Sequence, residues 1–457
     1  MPDSLPIDPL HSALFTDMYE LTMAQAYDAE GMDQTAVFEL IFRKMPGDRN
    51  YFITAGLEDV LAYLENLHVT DDDLAWLRRQ GLFLERFLHR LKSLRFQGDV
   101  YAMPEGTPVF PGEPLVQVVA PILEAQIVEM LVLNQVHFQT IAATKASRVV
   151  LAAAGRDVVD FGSRRAHGAD AALKVARASY LAGATGTSNV LAGKVYGIPV
   201  FGTMAHSYIQ AHDDESQAFE AFARLYPETT LLVDTYDTIN GVQKVINLSR
   251  KLGERFRVRT IRLDSGDLGV LARESRQMLD AAGLNSVRIF ATSGLDENQI
   301  AVLVADGAPI DVFGVGTKLA VSEDVPALDM AYKLVEYAGL PRMKFSAKKV
   351  VLPGRKQVFR QVEGGRMVRD VIGRFDEKLT GEPLLQAVML RGKRLPAGRV
   401  TLEDARRHAL TELDHLPASL RQLQRAATPY SIEVSDALDR DLETLRRALQ
   451  TSQLGQT

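Results

Sequence analysis

Three segments place histidine, aspartate and arginine side chains where they could do chemistry. His206 lies in GTMAHSYIQAH and Asp234 in LLVDTYDT, and a neighbouring carboxylate orients the imidazole in many histidine-based nucleophiles. RLDSGD sets Arg262 and Asp264 two residues apart, so both face the same side of a strand. A guanidinium suits an oxyanion and a carboxylate suits sugar hydroxyls, so the pair predicts an anionic, hydroxyl-rich ligand. A purely structural histidine and a strand-end ion pair are the alternatives.

Two glycine turns predict a phosphate site. TSGLDE, with Ser293 and Gly294, and GVGT, with Gly316 and Thr317, follow consecutive apolar runs. Glycines let backbone N–H groups approach a phosphate, and α/β barrels often bind phosphates beside their final strands. Because no GxxxxGK[ST] occurs, this is not a Walker loop. Tight turns without any ligand are the alternative.

Two basic segments predict contacts with an anionic ring and with a polyphosphate. DFGSRRAHG sets Phe161 beside Arg164 and Arg165, and stacking combined with charge pairing suits a flat anionic ring. FRKMPGDRNY carries Arg43 and Lys44 within an acidic protein. A surface anion site and a solvated turn are the respective alternatives.

Six short apolar runs must position these side chains. After residue 156 they are DVVDFGS, IPVFGTMAHS, TLLVDTYDT, RTIRLDSGD, RIFATSGLD and DVFGVGTK. Helical stretches separate the runs, and strands alternating with helices predict parallel βα units. Each run ends on polar or small residues, and the C-terminal strand ends form the active-site rim of a βα barrel. We therefore predict a barrel-like α/β domain, with His206 at the end of the second strand; an open doubly wound sheet is the competitor.

The flanking segments follow other patterns. The first ~100 residues predict mainly helices, one beginning near Thr16 and one after Gly56. YAMPEGTPVFPGEPLVQVVAP then predicts antiparallel strands, and helix returns from Ile122 to about Ala154. Beyond residue 322, YKLVEYAG, KKVVLPGRKQVFR and GRMVRDVIGRF predict short antiparallel strands, followed by charged helices.

Composition excludes several classes of function. The chain has 457 residues, a net charge of −6 and no cysteine, which excludes disulfides, thiolate metal sites and thiol nucleophiles. The acidic excess argues against sequence-independent nucleic-acid binding. Nothing resembles a targeting peptide, and no apolar run reaches the ~18 residues that span a bilayer. We expect a cytoplasmic protein with no nucleic-acid or membrane partner, and no His/Asp/Glu cluster that predicts a tight metal site.

A series of segments, in order, resembles the nicotinate phosphoribosyltransferase family between about residues 14 and 375. They are TDMYELTMAQAY, FELIFRKMP, NYFITAGLEDVLAYL, DFGSRRAHG, GATGTSNVLAG, GTMAHSYIQAH, LLVDTYDT, RLDSGDL, ATSGLDE, FGVGTKL and LPGRKQVFR. The resemblance implies an irregular α/β barrel at 131–330, plus a second α/β domain in which 1–130 is completed by 331–457. It also implies conversion of nicotinate and phosphoribosyl pyrophosphate to nicotinate mononucleotide and pyrophosphate. ATP hydrolysis is coupled through a phosphohistidine, with Mg²⁺ accompanying the phosphates.

The resemblance also implies roles for individual residues. His206 becomes the phosphohistidine, with Asp234 beside it. The base lies between Phe161 and Tyr19 of the neighbouring subunit, with Arg164 at its edge, which implies a homodimer with shared active sites. The phosphoribosyl group is held by Arg262, Asp264, Ser293, Gly294, Gly316 and Thr317. Pyrophosphate or ATP phosphates face Arg43 and Lys44, together with Ser346 and Lys348 from the partner chain.

One position bears on base selection. Nicotinamide-using relatives carry an aspartate in GTDT, whereas GTSN here has Ser188 at that place and Asn189 next. A carboxylate there would repel nicotinate, while a serine hydroxyl can donate to it. The resemblance therefore implies the acid as substrate.

Three other functions compete with this one. Quinolinate phosphoribosyltransferase shares the architecture, but it needs further cations and no phosphohistidine. A non-catalytic scaffold would be expected to lose the rim residues, all of which are present. A sugar-phosphate lyase would need a Schiff-base lysine or a metal triad, and Lys318 is the one lysine at the predicted rim.

Overall fold

The structure, a computed structural model, describes residues 12–344 and 351–454, in two compact units. One unit comprises Met1–Ile141 with Ala327–Thr457, and the other comprises Ala142–Pro326. Within the described residues, helices α1–α16 are, in chain order, Met18–Glu30, Leu57–Asn66, Asp71–Arg79, Glu85–Lys92, Ile122–Ile127, Glu129–Ala152, Ala169–Leu181, Val190–Tyr196, His206–Gln210, Glu215–Leu225, Thr238–Leu252, Leu268–Ala281, Glu297–Ala305, Thr317–Ala320, Leu402–His415 and Asp436–Leu454. Strands β1–β19 are Thr35–Phe42, Phe52–Ile53, Asp99–Ala102, Pro108–Val109, Val116–Pro121, Asp157–Asp160, Gly186–Thr187, Thr230–Leu232, Thr260–Leu263, Arg288–Ala291, Val312–Val315, Met330–Tyr337, Leu340–Pro341, Lys356–Glu363, Arg366–Arg374, Glu382–Pro383, Gln386–Leu390, Lys393–Arg394 and Ser431–Val434.

The first unit is built on a seven-stranded antiparallel sheet in the order β13-β12-β1-β5-β3-β17-β18. Helices α1–α4 confirm that the first ~100 residues are mainly helical, but the interior strand β1 among them is an element that the sequence patterns do not predict. Every residue of β1 after Thr35 is buried, because β12 and β5 flank the strand on both sides. Glu39 within it interrupts the apolar pattern, but the Lys356 ammonium lies 2.8 Å from its carboxylate and offsets the burial.

Most other predicted elements of the first unit are confirmed. α1 and α2 begin where the sequence places them, and α5 and α6 occupy most of the predicted helical stretch after Ile122. β14 and β15 pair antiparallel, as expected for two Gly-bounded segments. Residues 345–350, which include Ser346 and Lys348, lie outside the described residues.

The second unit contains a six-stranded, wholly parallel sheet in the order β7-β6-β11-β10-β9-β8. Helices follow its strands, so the predicted α/β barrel is confirmed, and both chain ends form the second α/β domain. β7 and β8 are the outer strands, and no ladder among the described residues joins them. The barrel is therefore irregular and incomplete in hydrogen bonding.

One predicted strand is wrong. IPVF forms no ladder, and Val200 makes only an isolated parallel bridge to Thr187. The place of this predicted strand in the six-stranded sheet is taken by β7, which lies in GATGTSN. The segment nevertheless packs closely on β7: a Cβ on Gly186 would lie 2.3 Å from the Pro199 carbonyl oxygen and 2.6 Å from the Phe201 ring, and two backbone hydrogen bonds join the segment to Thr187. His206 consequently follows an irregular segment and not a strand.

No helix in the two described ranges combines the length and the apolar character needed to cross a bilayer.

A buried ionic cluster lies between β14 and β15 in the first unit. Arg360 donates to both carboxylate oxygens of Asp370, at 3.1 and 2.7 Å, and the Tyr430 hydroxyl donates to the same side chain at 2.9 Å. Glu113 is fully buried beside them and shares a hydrogen bond with Asp370. Burial, followed by the charge of Asp370, raises the pKa of the Glu113 carboxyl well above its ordinary value.

Glu113→Gln is expected to stabilise the protein at high pH. A raised folded-state pKa gives stability that is present below the unfolded-state pKa and is lost as the pH rises. Glutamine is uncharged and has nearly the same shape at every pH. Near pH 8 the free energy of unfolding should therefore rise by about 1 kcal/mol, which raises the unfolding temperature by roughly 2–4 °C. The gain should shrink toward pH 5. Calorimetry against pH tests this, with exposed Glu363→Gln as control; a gain that is constant or falls with pH would contradict it.

Candidate active site

The carboxyl ends of the six parallel strands carry most of the predicted site residues. Each strand delivers its residue one or two positions after its last residue, because parallel strands end at one edge of the sheet. In strand order β7, β6, β11, β10, β9 and β8, the residues that follow are Ser188, Phe161, Gly316, Ser293, Asp264 and Asp234.

His206 is the first residue of the short helix α9 and its side chain is 40% exposed. Its Nδ1 lies 3.1 Å from the Thr235 hydroxyl. Its Nε2 lies 3.7 Å from an Asp264 oxygen and 4.0 Å from an Asp234 oxygen. The imidazole is thus accessible and flanked by two carboxylates at ion-pair distance.

Asp234 is held rigidly by the strand end beside it. One carboxylate oxygen accepts the Asp264 backbone N–H at 3.0 Å and the Ser265 hydroxyl at 2.5 Å. The other oxygen, which faces His206, is buried and has no hydrogen-bond donor among residues 12–344 and 351–454. A buried acceptor without a donor is costly, so this oxygen is ready to bind a proton donor or a cation.

Arg262 is fixed by three partners. Its guanidinium donates to the hydroxyls of Thr292 and Thr203, both at 3.0 Å, and lies 3.0 Å from Asp264. Asp264 also accepts a short hydrogen bond from the Thr292 hydroxyl. The predicted shared face is therefore confirmed, and the pair is an ion pair that also lies beside His206.

Phe161 forms an aromatic platform on the same rim. Its ring meets Phe290 edge-to-face at 5.4 Å between centroids, and the Arg262 guanidinium carbon lies 5.5 Å from the ring centre. Gly162 is required next to it, since a Cβ there would lie 2.6 Å from Ala320 Cβ and 2.9 Å from the Gly316 carbonyl oxygen. This contact packs the DFG turn directly on the GVGT turn.

Arg164 and Ser188 lie in the loops that follow the neighbouring strands β6 and β7. Arg164 is exposed in the 3₁₀ turn Ser163–Arg165, and Ser188 is half-buried after β7. Asn189 connects the two loops, because its side-chain amide donates to the Ser163 hydroxyl at 3.1 Å.

Of the two glycine turns, the one at Ser293 and Gly294 is exposed and conformationally unusual, whereas Gly316 in the other is half-buried. Ser293 has φ of 94° and Gly294 has φ of 61°, and a non-glycine residue with positive φ often marks a functional turn. Thr317 begins α14 directly after Gly316, and its side chain is exposed.

Ion pairs hold the two turns in place, buried ones at Glu297 and a partly exposed one at Lys318. Glu297, at the start of α13, lies 2.5 Å from Lys145 and 3.1 Å from Arg148. Lys318 lies 2.8 Å from Asp296, the residue that caps α13. The hydrogen bond to Asp296 raises the pKa of the Lys318 ammonium.

Three predicted residues belong to the other unit. Tyr19 lies on α1 with 46% of its surface exposed; partial burial, followed by the charge of Glu129, raises the pKa of its hydroxyl. Arg43 is 2.8 Å from Asp329 in an ion pair, and Lys44 is exposed.

Sequence reasoning missed the hydroxyls that support the rim. Thr203, Thr235, Ser265 and Thr292 each bind one of the charged residues described above. Thr292, Ser265 and Thr235 follow the last residues of β10, β9 and β8 by one, two and three positions, so a search for hydroxyls just after apolar strands would have found them. In the part of the chain that the structure describes, no group of three or more His, Asp or Glu side chains is arranged to hold a metal ion.

Family models match most of the chain. Residues 14–137 match the model described as nicotinate phosphoribosyltransferase (NAPRTase) N-terminal domain. Residues 157–348 match the model described as nicotinate phosphoribosyltransferase (NAPRTase) family.

Individual proteins agree with the family models. The chain is 58% identical over 436 residues to nicotinate phosphoribosyltransferase pncB2 of Mycobacterium tuberculosis, covering 95% of this chain and 94% of that protein. It is 42% identical to the nicotinate phosphoribosyltransferase of Bacillus subtilis, covering 82% and 78%. Human nicotinic acid phosphoribosyltransferase superposes with a TM-score of 0.84 at 29% identity, over 94% and 99% of the chains. The nicotinate-nucleotide pyrophosphorylase of Pyrococcus furiosus gives 0.74 at 25% identity, over 90% and 98%.

Proposed function

The chain belongs to the nicotinate phosphoribosyltransferase family, and on that basis we propose that it transfers the phosphoribosyl group of phosphoribosyl pyrophosphate to nicotinate. The products are nicotinate mononucleotide and pyrophosphate, the first step of NAD salvage from nicotinate. The observation that carries this proposal is the cluster of His206, Asp234, Arg262 and Asp264 beside the Phe161 ring, all within one unit.

Nicotinate stacks on the Phe161 platform in this proposal. The ring is already fixed by Phe290 on its edge, so the base meets a rigid surface. Arg164 is exposed next to it and pairs with the carboxylate of the base. Ser188, from the neighbouring strand, donates its hydroxyl to the same carboxylate, whereas an aspartate there would repel it.

The phosphoribosyl group lies across the adjoining strand ends. Arg262 and Asp264 hold the ribose, and their fixed geometry reduces the reorganisation needed as charge develops at C1. The backbone N–H groups of Ser293, Gly294, Gly316 and Thr317 cradle the 5′-phosphate. Catalysis is then mainly alignment of the pyridine nitrogen with C1, opposite the departing pyrophosphate.

Mg²⁺ enters with the phosphates of the substrates. Mg²⁺ sites of this kind use one or two carboxylates and otherwise substrate oxygens, and the donor-free oxygen of Asp234 beside Asp264 fits that requirement. Asp234 and Asp264 would hold the cation, which would supply positive charge against the leaving pyrophosphate. Arg43 and Lys44 contribute positive charge to pyrophosphate or ATP, and Ser346 and Lys348, outside the described residues, keep the role predicted from the sequence.

His206 couples ATP hydrolysis to turnover as a phosphohistidine. The accessible imidazole between two carboxylates supports this role, because the carboxylates stabilise the cationic ring that forms during phosphoryl transfer. Phosphorylation adds negative charge at the rim and tightens phosphoribosyl pyrophosphate binding by reordering nearby loops.

Two competing functions lose support. A Schiff-base lyase needs an unprotonated lysine, whereas Lys318 is ion-paired with Asp296 and its pKa is raised. Quinolinate carries a second carboxylate and would need cations beyond Arg164 and Arg165, the two arginines of the DFG loop. Its reaction also uses no phosphohistidine, so it would leave His206 and Asp234 without a role.

The working unit in this proposal is a homodimer. Tyr19 is exposed on the first unit and covers the second face of the base bound by the partner subunit, opposite Phe161.

The substrate assignment predicts strong preference for the acid. With phosphoribosyl pyrophosphate and Mg²⁺, kcat/KM for nicotinate should exceed that for nicotinamide by about 100-fold, since Ser188 donates to a carboxylate. Ser188→Asp should reduce or invert this preference. Mononucleotide formation measured by chromatography tests both, and equal use of the two bases by the wild type would reject Ser188 as the selector.

ATP coupling predicts a specific loss in His206→Ala. The variant should form mononucleotide at the ATP-independent rate of the wild type, without stimulation by ATP, and should give no acid-labile phosphoenzyme with labelled ATP. His212→Ala is the matched control, because His212 lies in the same segment but binds the Tyr208 carbonyl at 2.8 Å. ATP stimulation that survives in His206→Ala, or disappears in His212→Ala, would refute the phosphohistidine.

Shared active sites predict complementation between two inactive variants. Tyr19→Ala and Phe161→Ala should each lose most activity, since each removes one face of the base site. A heterodimer of the two, isolated with two affinity tags, should regain one intact site and about half of the wild-type rate per dimer. A heterodimer as inactive as either parent would show that the sites are not shared.

A further inference from the structure

Asp160 is a fully buried carboxylate at the point where the base-binding loops meet. It ends β6, directly before Phe161, and none of its surface is exposed. One carboxylate oxygen accepts the Gly162 N–H at 2.8 Å, which fixes the turn that carries Phe161. The other accepts the Thr187 hydroxyl at 2.8 Å, on the neighbouring strand β7.

Thr187 continues the connection to the selecting serine. Its hydroxyl accepts the Asn189 N–H at 3.1 Å while donating to Asp160. The Ser188 N–H donates to the Asp160 backbone carbonyl at 2.8 Å. The residues on both sides of Ser188, and its own peptide, are therefore anchored to Asp160 or to the hydroxyl that it holds.

The link between Asp160 and the Ser188 loop depends on the hydrogen bond that the Thr187 hydroxyl donates. Burial raises the pKa of the Asp160 carboxyl, and the bonds from Gly162 and Thr187 oppose that effect by favouring the charged form. Removing the Thr187 hydroxyl leaves a buried carboxylate oxygen without a donor, which is more costly than a lost surface hydrogen bond. The Phe161 N–H donates to the Val315 carbonyl at 2.8 Å, so the Phe161 side is held independently. On the Ser188 side the Asn189 N–H loses its acceptor as well, while the Ser188 N–H keeps its bond to the Asp160 carbonyl, so the Ser188 side chain is expected to shift about that retained bond.

We propose that Asp160 and Thr187 are positioning residues for base selection, which set the spacing between the Phe161 ring and the Ser188 hydroxyl. Neither residue touches the substrate. Their effect is to hold, across two parallel strands, the stacking surface and the donor that recognises the carboxylate of the base. This inference rests on the proposed function.

Thr187→Val tests the proposal because it removes the hydroxyl and keeps the shape of the side chain. KM for nicotinate should rise about tenfold, the effect of one hydrogen bond to a charged group. KM for phosphoribosyl pyrophosphate should change less than about twofold, because the phosphate turns on β10 and β11 have their own supports. The preference for nicotinate over nicotinamide should fall, and Thr187→Ser, which restores the hydroxyl, should recover both values.

A second threonine on the same strand pair supplies the matched control. Thr185 donates to Asp157 at 3.1 Å, the same type of cross-strand bond at the opposite end of β6 and β7. Thr185→Val should leave both KM values and the base preference unchanged. Calorimetry on the three variants shows whether a kinetic change follows general destabilisation.

The outcomes separate this proposal from the proposed function. If the wild type uses neither base, the proposed function is wrong and this inference fails with it. If the wild type uses nicotinate and Thr187→Val keeps its KM and preference, only this inference is wrong. Equal rises in both KM values, the same change in Thr185→Val, or no recovery in Thr187→Ser would also overturn it.

Discussion

The parallel pairing of six strands is the constraint on which the site depends. β9 aligns with β10 so that Arg262 lies opposite Phe290, and β11 aligns with β6 so that Val315 lies opposite Asp160. Residues distant in sequence therefore end their strands at one level. A shift of one residue in any ladder would turn its last side chain to the other face of the sheet. The rim charges could not then meet.

Buried charged side chains, each held by ion pairs or hydrogen bonds, keep the residues at these strand ends in fixed positions. Glu297, the last residue of TSGLDE, is paired with Lys145 and Arg148, while Asp234 is held by an N–H and a hydroxyl. Each carboxylate is costly to bury alone and tolerable with donors at these distances. The donors thus fix positions rather than add much net stability, which is the requirement for electrostatic catalysis.

The sequence predicts the parts of this structure that follow local patterns. Apolar runs that end in polar residues identify five of the six parallel strands, and the strand parity of Arg262 and Asp264 predicts their contact. Its failures concern packing at a distance. β1 is buried through neighbours from both ends of the chain, and β7 is a strand because Gly186 and Thr187 pair with β6, which lies 27 residues earlier in the chain. Bonds such as Arg262 to Thr203 join residues too far apart for any local pattern to reveal.

The discontinuous first unit affects the order in which the chain can fold. β1 needs β12 as a neighbour, with Ala36 opposite Tyr337, and β3 needs β17. All six strands of the parallel sheet lie between Asp157 and Val315, so that sheet has every partner before β12 leaves the ribosome. During synthesis the edge of β1 that pairs with β12 therefore remains unpaired while the second unit forms. Contacts that span most of the chain close last, and they set the interval in which a nascent chain is most exposed to misassembly.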